Sequence, residues 1–279
     1  MGQKRVAAIH DISGFGKCSL TVALPVISAA GIETAVIPTA VLSTHTGGFR
    51  GYTFRDLTED ILPIAEHWRR ENIKFDAIYS GYLGSKSQVQ LVIKAVGLLK
   101  DSNTKIIVDP VMADHGKLYA GFDEDFPREM LGLCKIADII VPNITEACLL
   151  VGKKYLEPPY TKEYIEDILR ALYKETRVDI VLTGVCFDDE QLGAAIMCNG
   201  EISYYFAQRA DAVFHGTGDV FASAFTAAVL GGKTIKDSAK VAVDFTLDCI
   251  RRTLKDNSDR RYGVNFENEL STLIKYLEQ

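Results

Sequence analysis

A carboxylate stands where a hydrophobic segment has little reason to hold one. From His215 to Gly232 the chain reads HGTGDVFASAFTAAVLGG, a long apolar run that opens on two glycines, a threonine and Asp219. Glycine is the poorest ordinary helix former, and Asp is rarely kept among so many apolar residues. If a helix begins near Gly216, its first amides lack intrahelical partners. With the helix dipole, the backbone of Gly216, Thr217 and Gly218 then makes an anion site suited to a phosphate in transfer. Asp219 would lie beside the reacting centre. The structural alternative is that Thr217 or Asp219 merely caps a buried helix. What decides between them is whether other polar groups gather nearby.

Further polar groups recur along the chain. VDPVMADHGKLY supplies Asp109 directly after an apolar run and Asp114 five residues on. Two acids near a polyphosphate suit Mg²⁺, held directly or through water. Gly116, Gly121 and a shortage of apolar anchors predict a pliable lid from Ala113 to Phe122. VPNITEACLL places Asn143 at a helix start and Glu146 on its first turn, the pattern of a capping box. The capping and ligand readings are compatible, because a cap residue also contacts bound water. TAVLSTHTGGFRG offers hydrogen bonds from Thr39, Ser43, His45 and Thr46 on a loop loosened by Gly47 and Gly48. Familiar nucleotide fingerprints are absent: SGFGKCS has Asp11 five residues before Gly16 and Cys18 after Lys17, and no G-x-G-x-x-G follows a strand.

These groups need elements to position them. Short β-branched runs at 5–10, 33–38, 75–81, 104–110, 137–143 and 178–184 alternate with helical patterns such as Asp56–Arg70, Ser85–Lys100, Thr145–Val151 and Lys162–Glu175. Alternation of this kind predicts an α/β fold, a mainly parallel sheet covered by helices on both faces. Residues 193–206 read instead as a hairpin around Asn199-Gly200, followed by helices at about 216–230 and 235–254 and another from about Glu267. HDISGFGK, SGYLGS, DPVMADHG, VPNITE and LTG all fall where strands end, which is where an open parallel sheet binds ligands. That coincidence favours the anion-site reading of HGTGD. No linker or repeat divides residues 1–279, so one domain is expected.

Composition narrows the classes. The net charge of −6 and the lack of a Lys/Arg-rich run argue against a nucleic-acid surface. No signal-peptide core and no run of about 18 apolar residues is visible, which predicts a protein with no membrane segment. Six scattered cysteines without metal or redox spacing fit a reducing cytoplasm.

SGYLGS (80–85), DPVMADHGKLY (109–119), VPNITEACLL (141–150) and HGTGDVFASA (215–224) together closely resemble the vitamin B6 kinases of the ribokinase superfamily, the kinases of pyridoxal, pyridoxine and pyridoxamine. The resemblance covers nearly the whole chain, in order. It implies a ribokinase-like α/β fold, ATP with Mg²⁺ as phosphoryl donor, a B6 vitamer as small-molecule substrate, and a homodimer. It implies Asp219 as the base that takes the proton from the 5′-hydroxyl and Gly216–Gly218 as the anion hole. Asp109 and Glu146 are then the acids that organise Mg²⁺, with Asp114, Asn143, Thr183 and Gly184 around the nucleotide phosphates. Asp11, Ser13, His45, Thr46 and Tyr82 fall at the ring substrate. Asp11 stands where many pyridoxal kinases carry Ser, and HDISGFG resembles the D-x-S-G-G of hydroxymethylpyrimidine kinases. A hydroxymethylpyrimidine or other small-alcohol kinase is therefore the alternative within the superfamily. A B6- or nucleotide-binding protein without turnover is the alternative outside it.

Overall fold

The computed structural model describes residues 2–210, 212, 214–256 and 259–279. The strands are β1 (Arg5–Ser13), β2 (Glu33–Leu42), β3 (Phe54–Asp56), β4 (Ala77–Ser80), β5 (Lys105–Val108), β6 (Ala113–Asp114), β7 (Lys117–Leu118), β8 (Ile139–Ile140), β9 (Asp179–Val185), β10 (Gln191–Cys198) and β11 (Glu201–Gln208). The helices are α1 (Leu20–Ala29), α2 (Ile61–Arg70), α3 (Lys86–Leu99), α4 (Phe126–Cys134), α5 (Ile144–Leu150), α6 (Lys162–Thr176), α7 (Thr217–Leu230), α8 (Ile235–Asp256) and α9 (Leu270–Glu278). Among the described residues, nine strands form one sheet in the order β11-β10-β9-β8-β5-β4-β1-β2-β3, and β6 and β7 pair separately. From β9 through β2 every pairing is parallel, while β3, β10 and β11 join antiparallel at the two edges. No described helix is long and apolar enough to cross a membrane.

Strand alternation feeds two cores. Ala7 and Ile9 of β1 face a layer built with α2 to α6, and Val6 faces the layer of α1, α7, α8 and α9. Helix α7 is buried along most of its length, from Val220 to Ala228, which explains its unbroken apolar run. The expected hairpin turns at Asn199 and Gly200, both with positive φ (50° and 84°), the backbone of a primed turn.

One expected boundary moves, one helix went unread, and one segment has anchors its sequence did not show. The helix expected from Asp56 begins at Ile61, because Phe54–Asp56 adds an edge strand to β2 and the Asp56 side chain accepts the Thr58 N–H at 2.7 Å, forming a turn. Helix α1 escaped the helical pattern because a helix this apolar shows no polar stripe. The 113–122 segment is anchored at its two ends, where Met112 and Ala113 are buried and Phe122 stacks on Phe126 with ring centroids 3.9 Å apart, while the β6–β7 hairpin between them is exposed at 114–117 and 119–121.

Candidate active site

Helix α7 is preceded by its N-cap Gly216, whose φ of 77° is left-handed. A Cβ there would lie 2.2 Å from the Lys17 carbonyl oxygen, so only glycine fits. No side chain caps this terminus, and the Thr217 hydroxyl donates instead to the Phe214 carbonyl at 3.4 Å. The simple cap reading of Thr217 and Asp219 therefore lacks its hydrogen bond. Asp219 is half-buried, one turn into the helix. Loss of water in the cleft raises its carboxyl to about 7; the Ser19 backbone N–H opposes that rise and the Asp11 charge adds to it. Ser19 reaches this position with an unusual φ of 55° for a non-glycine residue.

Two further acids lie beneath. Asp109 follows β5, donates its backbone N–H to Ser80 at 2.9 Å, and is only 6 % exposed. Burial first, then the charges of Glu146 and Asp219, raises its carboxyl well above the usual range. Glu146 and Asn143 form the predicted capping box: the Glu146 N–H donates to Asn143 Oδ1 and the Asn143 N–H to Glu146 Oε2, each at 2.9 Å. Glu146 Oε1 accepts the Met112 N–H at 3.1 Å. Burial lifts Glu146 to about 8, against the pull of these backbone donors. Asn143 Nδ2 donates to the Ala113 carbonyl at 2.9 Å, tying α5 to the β6–β7 hairpin that carries exposed Asp114. The Thr183 N–H donates to the Pro142 carbonyl at 2.9 Å, and Gly184 follows with φ 77°.

This all-oxygen, carboxylate-rich set suits Mg²⁺ in chemistry. Both Glu146 oxygens already accept backbone N–H groups, and no described cluster of three or more acid, His or Cys side chains forms a ready-made cage. The set fits an ion held largely through water and ligand phosphate oxygens, the habit of Mg²⁺.

At the other end, Asp11 is 3 % exposed and accepts the Ser13 hydroxyl at 2.8 Å. Tyr82 is half-buried against Phe122, and burial pushes its phenol up to about 12. His45 Nδ1 accepts the Gly47 N–H at 3.1 Å, so the proton assigned to Nε2 donates to the Arg261 carbonyl at 2.7 Å. Burial lowers its pKa. His45 thus fastens its loop to the 260–262 turn through Nε2 and braces the loop internally through Nδ1, so both ring nitrogens are engaged within the protein.

Asp11, Ser13, His45, Thr46, Tyr82, Asp109, Asp114, Asn143, Glu146, Thr183, Gly184 and Gly216 to Asp219 line one cleft of about 820 Å³ at the carboxyl ends of the parallel strands, whereas Thr39 is fully buried away from it and the Ser43 hydroxyl accepts the Thr53 N–H at 2.9 Å. Sequence reasoning missed Cys18, Ser19, Tyr52 and Tyr119, and the apolar wall of Val243, Thr246, Leu247 and Ile250. The wall carried a signal, since its spacing marks one face of α8.

The phosphomethylpyrimidine kinase family profile matches residues 22–263. The chain belongs to the phosphomethylpyrimidine kinase family. A Bacteroides thetaiotaomicron protein assigned to phosphomethylpyrimidine kinases and crystallised with pyridoxal is 34% identical to this family member, with a TM-score of 0.91 over 98% of this chain and 96% of its own. Pyridoxal kinase from Lactobacillus plantarum is 32% identical over 99% of each chain, with a TM-score of 0.91. Human pyridoxal kinase is 28% identical over 276 residues, covering 88% of this chain and 82% of its own length. The fold is ribokinase-like, as the B6-kinase motifs implied.

Proposed function

We propose that this chain is a B6 kinase that moves the γ-phosphoryl group of ATP to the 5′-hydroxyl of a pyridoxal-type vitamer. The observation that carries the reading is Asp219, a half-buried carboxylate on the first turn of a helix whose N-terminus no side chain caps, in one cleft with Tyr82, Asp109 and Glu146. Similarity to a Bacteroides protein crystallised with pyridoxal and to a Lactobacillus pyridoxal kinase supports the ring substrate.

Asp219 accepts the proton of the 5′-hydroxyl. A carboxyl near 7 is a better matched base at neutral pH than an ordinary one. The amides at the start of α7 and its dipole hold the transferring group's negative charge without reorganising. Mg²⁺ would neutralise phosphate charge beside Asp109 and Glu146, completing an environment that works by positioning and charge balance. The β6–β7 hairpin closes over the phosphates and excludes water, and the apolar face of α8 takes the base of the nucleotide.

The family's own description and the Asp11-x-Ser13-Gly14 run favour a second reading, a hydroxymethylpyrimidine kinase. An ADP-release assay with saturating Mg·ATP separates them: at least one B6 vitamer exceeds hydroxymethylpyrimidine in kcat/KM, and the reverse ranking moves the chain to the pyrimidine substrate. The same proposal includes a homodimer, read out by light scattering, and a cytoplasmic location, read out by fractionation. The six unpaired cysteines suit that reducing compartment.

A further inference from the structure

Asp11 sits at the end of β1 opposite a bulge: His10 pairs with Pro38 and Ile12 with Val41, so β2 carries an extra residue there. Irregularities of this kind re-aim side chains beside a site. The Asp11 carboxylate lines the cleft with Tyr82 and is 3 % exposed. Its side-chain partners are hydroxyls, Ser13 at 2.8 Å and Ser19. Among the described ion pairs none includes Asp11, and the two cations nearest in sequence are engaged elsewhere, Arg5 with Glu33 at 2.6 Å and Lys17 through its Nζ with Asn265 and Glu267 at 2.8 and 2.9 Å. The cleft is lined by acids, Asp219 among them, and by Lys117 and Arg209, and neither of these cations is among the groups acting on Asp11, whereas the Asp11 charge does reach Asp219. A buried carboxylate without a countercharge is costly to keep ionised. A cation brought by the ligand would offset that cost.

We propose that Asp11 selects the cationic vitamer, pairing with the 4′-ammonium of pyridoxamine and making pyridoxamine this chain's preferred substrate. The proposal rests on the B6 reading of the cleft. The three vitamers share the ring, its methyl group, the 3-hydroxyl and the 5′-hydroxyl. They differ at the 4′ position, which carries an aldehyde, a hydroxymethyl or an aminomethyl group, and only the last is a cation at neutral pH. The 4′ and 5′ substituents occupy adjacent ring carbons. Asp11 and Asp219 line the same cleft, so a ring whose 5′-oxygen meets Asp219 can present its neighbouring 4′ group to Asp11. A charge-assisted hydrogen bond there is worth more than the neutral one available to pyridoxine.

The test compares pyridoxamine and pyridoxine on wild type, Asp11→Asn and Asp11→Ser, by steady-state kinetics and by calorimetric Kd. Wild type favours pyridoxamine in kcat/KM. Both variants lower the pyridoxamine-to-pyridoxine ratio by about tenfold or more, chiefly through KM, and the Kd ratio follows. An unchanged ratio with vitamers still phosphorylated overturns this proposal alone. Equal loss on both vitamers also overturns it, because Asp11 would then read a group they share. Wild-type preference for pyridoxine overturns it even if neither variant folds. Wild-type turnover of hydroxymethylpyrimidine with none of any vitamer overturns both this proposal and the B6 reading.

Discussion

Gly216→Ala tests whether the start of α7 is held in place by its own backbone. The φ of 77° is left-handed, which costs a non-glycine residue about 1–2 kcal/mol. The added Cβ would lie 2.2 Å from the Lys17 carbonyl oxygen, where real contacts stay beyond 3.0 Å. That oxygen is backbone and has no rotamer to escape into, so the helix start or the 14–19 loop must move by about 0.8 Å, the difference between those distances. Strain and displacement together predict a loss of about 2–4 kcal/mol, or about 5–10 °C in Tm for a chain of this size. A shift of that order at the reacting centre lowers kcat by about 10²-fold. The assay is thermal unfolding with steady-state ADP release, run beside Gly218→Ala, where an added Cβ meets nothing within 4 Å. The Gly218 variant keeps a Tm near wild type. Equal melting temperatures for the two variants, with wild-type turnover by Gly216→Ala, would refute this reasoning.

Because Asp219 must be ionised to accept a proton, kcat/KM for a vitamer at saturating Mg·ATP is present above about 7 and falls as pH drops through that value; a profile flat from pH 8 to 5.5 would contradict it. Stability runs the other way: a carboxyl raised from 3.8 to about 7 by folding favours the native state below 3.8, and that benefit is lost as pH rises through 7. Asp219→Asn therefore raises stability at pH 8 by about 1–2 kcal/mol, allowing for solvent in the open cleft, and by nothing at pH 4. Amide exchange across 113–122 slows when a non-hydrolysable ATP analogue and a vitamer bind together, and unchanged exchange would leave this hairpin a surface feature.

The alternation of apolar runs made the parallel sheet legible, and with it the edge at which ligands bind. Asp11, Tyr82, Asp109, Asn143 and Thr183 lie far apart in sequence, yet each sits in the last residues of a parallel strand or just beyond it, with those strands pointing the same way, so they meet in one cleft. Glycines 216 and 218 were legible for a different reason: poor helix formers are kept at a helix start when the backbone itself is needed. What stayed hidden depends on long-range contact. Nothing near His45 announces that its ring nitrogens are taken by Gly47 and Arg261, which is 216 residues away. Phe122 gave no local sign that it would stack on Phe126 and hold the hairpin. The α8 wall had helical spacing, but spacing alone does not say which face meets a ligand. Edge strand β3 was lost because three exposed residues carry no alternation to read.

Asp219 as the base for phosphoryl transfer to a vitamer is the step on which the proposed chemistry of the cleft depends. Wild type and Asp219→Asn are incubated with Mg·ATP and pyridoxamine, and the phosphate ester is followed by ³¹P NMR alongside ADP release. Wild type is expected to form the 5′-phosphate. The Asn variant, similar in size and equally able to cap a helix, is expected to lose about 10²–10⁴-fold in kcat with little change in ATP affinity. Retention of more than about a tenth of wild-type kcat by the folded Asn variant, well above what losing a base allows, would contradict the account.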